Sequence, residues 1–104
     1  MHQTPIAARP LISHSPIDGS RIGEFAIATP DALESALGAA RAAFLVWRAV
    51  PMLSRAELLR DFAARLAADR DELAGLITLE TGKIRAEAEG EVQEMIDICA
   101  YAAG

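Results

Sequence analysis

Residues 76–104 read LITLETGKIRAEAEGEVQEMIDICAYAAG, and this stretch decides most of the fold. Apolar residues recur every three or four positions on both sides of Gly82, which is the pattern of two amphipathic helices. Gly82 stands where glycine commonly takes the left-handed conformation that ends a helix. The stretch therefore predicts one helix over residues 72–80 and another over residues 85–103.

An earlier helix is predicted by its start signal. Thr29 can cap, Pro30 suits the first helical position and Asp31 favours the positive end of the helix dipole. This helix should run to about Ala49, because Pro51 cannot continue it. Its apolar stripe, which we expect to pack against a neighbour, is Leu33, Leu37, Ala40, Phe44 and Trp47.

A second helix is predicted to follow Pro51. Ser54 and Glu57 have the spacing of a capping box, in which the serine caps the helix and the glutamate bonds back to it. The residues expected on its buried face are Leu58, Leu59, Phe62 and Leu66. Asp69 and Glu72 repeat the capping pattern, which favours a break near residues 68–71 over one continuous helix.

The N-terminal part predicts a β-hairpin over residues 11–28. Strand-like residues 11–17 and 21–27 flank Asp18 and Gly19, a dipeptide that suits a tight reversal between antiparallel strands. A two-stranded ribbon is marginal alone, so it should lean on the helices or on further protein. The predicted fold is mainly α: one segment of residues 1–104, with a tail over 1–10, the hairpin, and three to four helices over 29–104.

Composition narrows the class of protein. The chain has 104 residues, of which 52% are hydrophobic and 24% charged, a globular balance. A net charge of -5 with scattered arginines disfavours nucleic acid as a partner. Arg41 and Arg48 interrupt the longest apolar run, so we expect no membrane span. The N-terminus does not have the pattern of a signal peptide, and with one cysteine this favours a cytoplasmic protein.

Few side chains suggest chemistry. On the last predicted helix the apolar stripe is Val92, Met95, Ile96, Cys99 and Ala103. Cys99 is therefore expected to be a packed, unreactive thiol. Glu87, Glu91 and Glu94 form a polar stripe on another side. Within it, Glu91 and Glu94 fit either a solvated helix face or a carboxylate pair for acid–base chemistry. His2 and His14 have no partner at metal-ligand spacing, so no metal is expected.

Two segments of the opening stretch resemble a known family. Residues 78–83, TLETGK, resemble the aldehyde dehydrogenase superfamily, and residues 91–99, EVQEMIDIC, resemble its antiquitin-like branch, which oxidises α-aminoadipic semialdehyde. The resemblance implies the N-terminal part of an NAD-binding domain without its Rossmann sheet. It also implies NAD or NADP as cofactor of the full-length parent, and a homo-oligomer. The catalytic and cofactor-binding residues of that family lie beyond these positions, so the chain alone should be inactive.

The resemblance assigns one binding residue. In antiquitin-like enzymes the helix that matches residues 91–99 borders the aldehyde entrance, and the glutamate that matches Glu94 meets the α-ammonium of the substrate. Such a charge-assisted contact would confer selectivity that an apolar tunnel cannot. The expected partner is then the remainder of the dehydrogenase polypeptide. The alternative is a free-standing helical module that binds another protein.

Overall fold

The computed structural model describes residues 9–104, so most of the predicted tail over residues 1–10 lies outside the described residues. A two-stranded antiparallel hairpin is followed by four helices, which confirms the mainly α prediction. The elements are β1 Leu11–His14, β2 Arg21–Phe25, α1 Pro30–Trp47, α2 Met52–Ala68, α3 Arg70–Thr81 and α4 Arg85–Ala103.

The hairpin is shorter than residues 11–28, and its reversal is a six-residue loop. The prediction of a tight turn at Asp18 and Gly19 is wrong, although Gly19 does adopt a positive φ of 74°. The amide of Ser15 donates to the carbonyl of Ser20, and Ser20 donates its own amide to the Asp18 carboxylate at 2.9 Å. Such local side-chain bonds compete with strand pairing and end the strands early. Hydrogen bonding from Ser20 holds the pKa of Asp18 below its usual value.

Helix α1 begins as predicted but does not pack as predicted. The Thr29 hydroxyl accepts the Ala32 amide at 3.1 Å, which confirms the cap. Every residue of the helix is exposed, and the helix packs closely against no other described element. Phe44 keeps 57% of its surface exposed and Trp47 keeps 41%. The predicted apolar stripe is therefore present, but the described residues leave most of it exposed.

The two predicted capping boxes are wrong, although the break between α2 and α3 is confirmed. Helix α2 begins at Met52, because the carbonyl of Pro51 accepts the Arg55 amide and starts the helical ladder before Ser54. At the break, the Asp69 carboxylate accepts a bond from Arg65 Nε at 2.7 Å and makes no cap bond to α3. Of the predicted α2 face, Leu66 is buried, whereas Leu58 and Phe62 are more than half exposed.

The core lies where α3 meets α4. Ala74 and Ala88 are fully buried, and their small side chains allow the two helices to approach closely. Val92 is the largest fully buried side chain, and the partly buried residues packed against this cluster are Leu73, Ile77 and Ile96. Gly82 ends α3 in the left-handed conformation with φ 77°, as predicted. Helix α2 also packs along α4, so α4 contacts both α2 and α3.

These elements form one layer. The principal extents are 58 × 42 × 15 Å, and a single helix with its side chains is about 10–12 Å thick. The radius of gyration is 18.9 Å, against roughly 13 Å for a compact domain of this length. Domains normally bury their apolar faces between two or more layers. In the described part of the chain that second layer is absent. None of the helices described is apolar over a length that would cross a bilayer.

Candidate functional site

The outer face of α4 carries a shallow depression of about 400 Å³ lined by Glu91, Glu94, Met95 and Ile98. These positions are spaced by three, one and three residues, so they share one face of the helix. Met95 was predicted to be buried but is 40% exposed, and Ile98 is 61% exposed. The depression therefore combines two carboxylates with an apolar wall. Glu87, the third member of the predicted polar stripe, does not line it.

Three consecutive residues of α4 point in different directions, because successive side chains on a helix are about 100° apart. Val92 is fully buried in the core. Gln93 accepts a hydrogen bond from Arg70 of α3 and donates one to Asp97 at 2.8 Å. Glu94 is exposed at the depression. Packing on one side and a hydrogen bond to α3 on another thus fix the rotation of α4 and present Glu94 outward.

The two carboxylates of the depression differ in their partners. Glu91 forms an ion pair with the ammonium of Lys83, which lies in the turn between α3 and α4. Glu94 has no hydrogen-bond or ion-pair partner among the described residues. Glu94 is therefore the carboxylate that is available to a ligand.

Cys99 lies outside this depression. Its side chain is 7% exposed on the packed side of α4, which confirms the prediction of a buried cysteine. A thiol held among apolar neighbours is a poor nucleophile. The depression can bind a ligand through charge and apolar contact, and it contains no group placed for covalent chemistry.

The described residues do not fit a dinucleotide. A Rossmann site needs parallel strands and closely spaced glycines where a strand turns into a helix. The only strand pair in residues 9–104 is antiparallel, and β2 leads through Thr29 into a capped helix with no glycine at the turn. Nor do three His, Cys, Asp or Glu side chains converge anywhere in that range. We assign neither cofactor-binding nor metal-binding residues to this part of the chain.

A second, larger surface feature is apolar. It is a depression of about 740 Å³ at the C-terminal end of α1, lined by Ala40, Ala43, Phe44, Val46, Trp47 and Val50. At the border of this depression, the guanidinium of Arg48 lies 5.9 Å from the centre of the Phe44 ring. Sequence periodicity predicted these aromatic residues as core. The exposed surface is that of a helix face whose partner is not among the described residues.

The site residues that sequence reasoning missed are Lys83 and Ile98. Lys83 sits outside either helix, so no helical period links it to Glu91. The available signal was composition, because Lys83 is the only lysine in the chain and stands near a run of glutamates. Ile98 could have been found, since it lies one helical turn after Glu94 on the same face.

Comparison with known proteins identifies the family. The family model described as "Aldehyde dehydrogenase family" matches residues 5–104. Aldehyde dehydrogenase family 7 member A1 of Pisum sativum is 42% identical over 92 residues, which cover 88% of this chain and 18% of the relative. Malonate-semialdehyde dehydrogenase 3 of Geobacillus kaustophilus is 39% identical over 90 residues, covering 86% and 19%. A 4,4'-diapolycopene aldehyde oxidase of Methylomonas is 36% identical over 88 residues, covering 84% and 17%.

The chain thus spans less than a fifth of the length of these relatives. The family match covers nearly all of the chain, including the hairpin, the four helices and the Lys83 turn. This breadth excludes a likeness limited to one short motif. The chain belongs to the aldehyde dehydrogenase family.

Proposed function

We propose that this chain is the N-terminal part of a longer NAD(P)-dependent aldehyde dehydrogenase that oxidises an aldehyde to a carboxylic acid. Two findings support the proposal: the relatives are more than five times longer than the matched region, and the described residues form a single layer with an uncovered apolar helix face. The remaining polypeptide would supply the nucleophile, the general base and the cofactor site. By resemblance, we expect a homo-oligomer.

The alternative of a free-standing helical module is less well supported. The exposed apolar stripe of α1 indicates a missing partner and fits both readings. The family match favours the longer enzyme, because it extends over residues 5–104 and the relatives are more than five times longer than the matched region. Extending the gene sequence past codon 104 distinguishes the two: the proposal expects an open reading frame that continues into a cysteine-containing catalytic domain, and a stop codon contradicts it.

We further propose that the substrate is an amino acid semialdehyde, as the resemblance to the antiquitin-like branch implies, and that Glu94 binds its α-ammonium. The observation that carries this is the unpaired Glu94 carboxylate beside the apolar Met95 and Ile98. A carboxylate of this kind forms charge-assisted bonds to an ammonium, while the apolar wall accommodates a methylene chain. The role is binding, with no part in bond making or breaking.

Relatives named malonate-semialdehyde dehydrogenases suggest a different substrate class. Malonate semialdehyde carries a carboxylate at the end away from its aldehyde and has no ammonium. An anionic group beside Glu94 would be repelled, because like charges at close range cost free energy. The α-ammonium of an amino acid semialdehyde can pair with Glu94, and malonate semialdehyde has no such group.

The substitution Glu94→Gln in the longer enzyme tests this assignment. It keeps the size and hydrogen bonding of the side chain and removes its charge. We expect kcat/KM for α-aminoadipic semialdehyde to fall by an amount equivalent to about 1.5–3 kcal/mol, the range for hydrogen bonds to charged groups. Oxidation of hexanal should be nearly unchanged. Steady-state NADH formation measures both, and it needs the longer enzyme because the chain alone is expected to be inactive.

The matched control is Glu87→Gln, on the same helix but outside the depression. It should leave kcat/KM for both aldehydes unchanged. Equal losses on both aldehydes in Glu94→Gln would assign Glu94 to folding. An unchanged kcat/KM for both aldehydes would mean that Glu94 belongs to a solvated helix face, and it would contradict the proposed substrate.

A further inference from the structure

We propose that Lys83 sets the charge of the depression by neutralising Glu91, so that Glu94 alone meets the ligand. Lys83 is then a specificity-determining positioning residue, and the inference rests on the proposed function of Glu94. The observation behind it is the Lys83–Glu91 ion pair on the same face of α4 as the unpaired Glu94. Two neighbouring carboxylates, one paired and one free, give the depression one net negative charge.

The turn that carries Lys83 is held in place. The Thr81 hydroxyl donates to the carbonyl of Ile77 at 2.7 Å and accepts the Lys83 amide at 3.3 Å. Gly82 takes the left-handed conformation, and a Cβ atom there would lie 3.3 Å from Pro16 of the hairpin loop. Backbone bonds and a packed neighbour thus fix the point from which the Lys83 side chain reaches Glu91.

The Lys83–Glu91 ion pair is expected to stabilise the fold only weakly. Substitutions in the pair therefore test its effect on the charge of the depression. The side chains of Lys83 and Glu91 are 42% and 39% exposed. Pairs exposed to this degree are screened by water and typically stabilise a protein by less than about 1 kcal/mol. Breaking the pair should therefore change the electrostatic potential at Glu94 without unfolding the helices.

The charge balance predicts a specific pattern of selectivity. With Lys83 present, charges of -1, -1 and +1 sum to -1; Lys83→Gln makes the sum -2, and Glu91→Gln makes it 0. The double substitution restores -1. A unit charge acting over about 6 Å in water changes an equilibrium roughly threefold. Lys83→Gln should therefore favour cationic aldehydes about threefold and disfavour anionic ones about threefold, relative to a neutral aldehyde.

The experiment measures kcat/KM in the longer enzyme for three aldehydes with the same chain length. They are hexanal, hexanal with a terminal trimethylammonium group, and the half-aldehyde of adipic acid. Lys83→Gln and Glu91→Gln should shift the cation-to-anion preference in opposite directions, and the double variant should return it to the starting value. The shifts should appear in KM and should shrink in high salt. Lys83→Arg should keep the original preference.

Several results would overturn the inference. Lys83→Gln and Glu91→Gln shifting in the same direction, or a double variant as impaired as either single one on all three aldehydes, would assign the pair a structural role. If Lys83→Gln fails to fold, Glu91→Gln tests the same charge balance from the other side. Glu94→Gln separates the two proposals: its failure to reduce cation preference sinks the role of Glu94, whereas a loss there without any shift in the pair variants sinks only this inference.

Discussion

Helices α1 and α4 both carry apolar stripes, yet only α4 buries one. Val92 of α4 is fully buried against α3, whereas Phe44 in the stripe of α1 is 57% exposed. The two helices differ in burial because α4 packs against α2 and α3, whereas α1 packs closely against no described element. An apolar stripe therefore indicates that a helix face packs against another surface, but it does not indicate which residues form that surface.

The largest effect expected from this contrast is at Val92. Val92→Ala in the isolated chain should lower the free energy of unfolding by roughly 1.5–3 kcal/mol, because it removes buried methyl groups and leaves a cavity. The matched change Val46→Ala removes the same atoms from an exposed site and should stay within about 0.5 kcal/mol. Urea unfolding followed by circular dichroism measures both. Equal losses would mean that α1 is packed in solution, against the structure.

A smaller effect is expected at the turn that joins the packed helices. Gly82→Ala places a side chain at φ 77° and 3.3 Å from Pro16, so it should cost about 1–2 kcal/mol of unfolding free energy. Gly90→Ala is the control within α4: beyond its chain neighbours and the adjacent helix backbone, no atom lies within 4 Å of the added methyl group. That change should stabilise the chain by about 0.5–1 kcal/mol through helix propensity. Opposite signs are the expected result, and stabilisation by both changes would contradict the left-handed helix end.

The smallest effect lies in the hairpin, which is also largely exposed. The Ser20 hydrogen bond lowers the pKa of Asp18, so the folded loop favours the ionised carboxylate. Its stabilising contribution is complete near neutral pH and is lost as acid protonates the carboxylate below the usual aspartate range. Protection of the Ser20 amide, relative to its intrinsic exchange rate at each pH, should fall over that range, and Asp18→Asn should remove this pH dependence. An unchanged pH profile in the variant would show that Asp18 is not the responsible group.

The contrast also explains which features could be predicted from sequence. Local signals worked where the neighbouring residues decide the outcome, as with the Thr29 cap and the Gly82 helix end. They failed at Ser54, because Pro51 starts α2 before the predicted cap. Burial on α1 could not be predicted from periodicity, since the covering surface is not part of that pattern.

The candidate site divides in the same way. Glu91 and Glu94 were identified as one polar stripe because they share the period of α4. The ion pair that distinguishes them depends on Lys83, whose position in the turn follows from the packing of α3 on α4 and of Pro16 on Gly82. Such a contact depends on tertiary structure, and the periodicity of apolar and polar residues in the sequence does not indicate it.

Hydrogen exchange can show whether the rest of a longer aldehyde dehydrogenase covers the apolar face of α1. Amide exchange is compared, residue by residue, between the isolated chain and the longer enzyme. We expect that α4 is protected in both proteins and that residues 30–47 become strongly protected only in the longer enzyme. Equal protection of α1 in the two proteins would contradict this expectation.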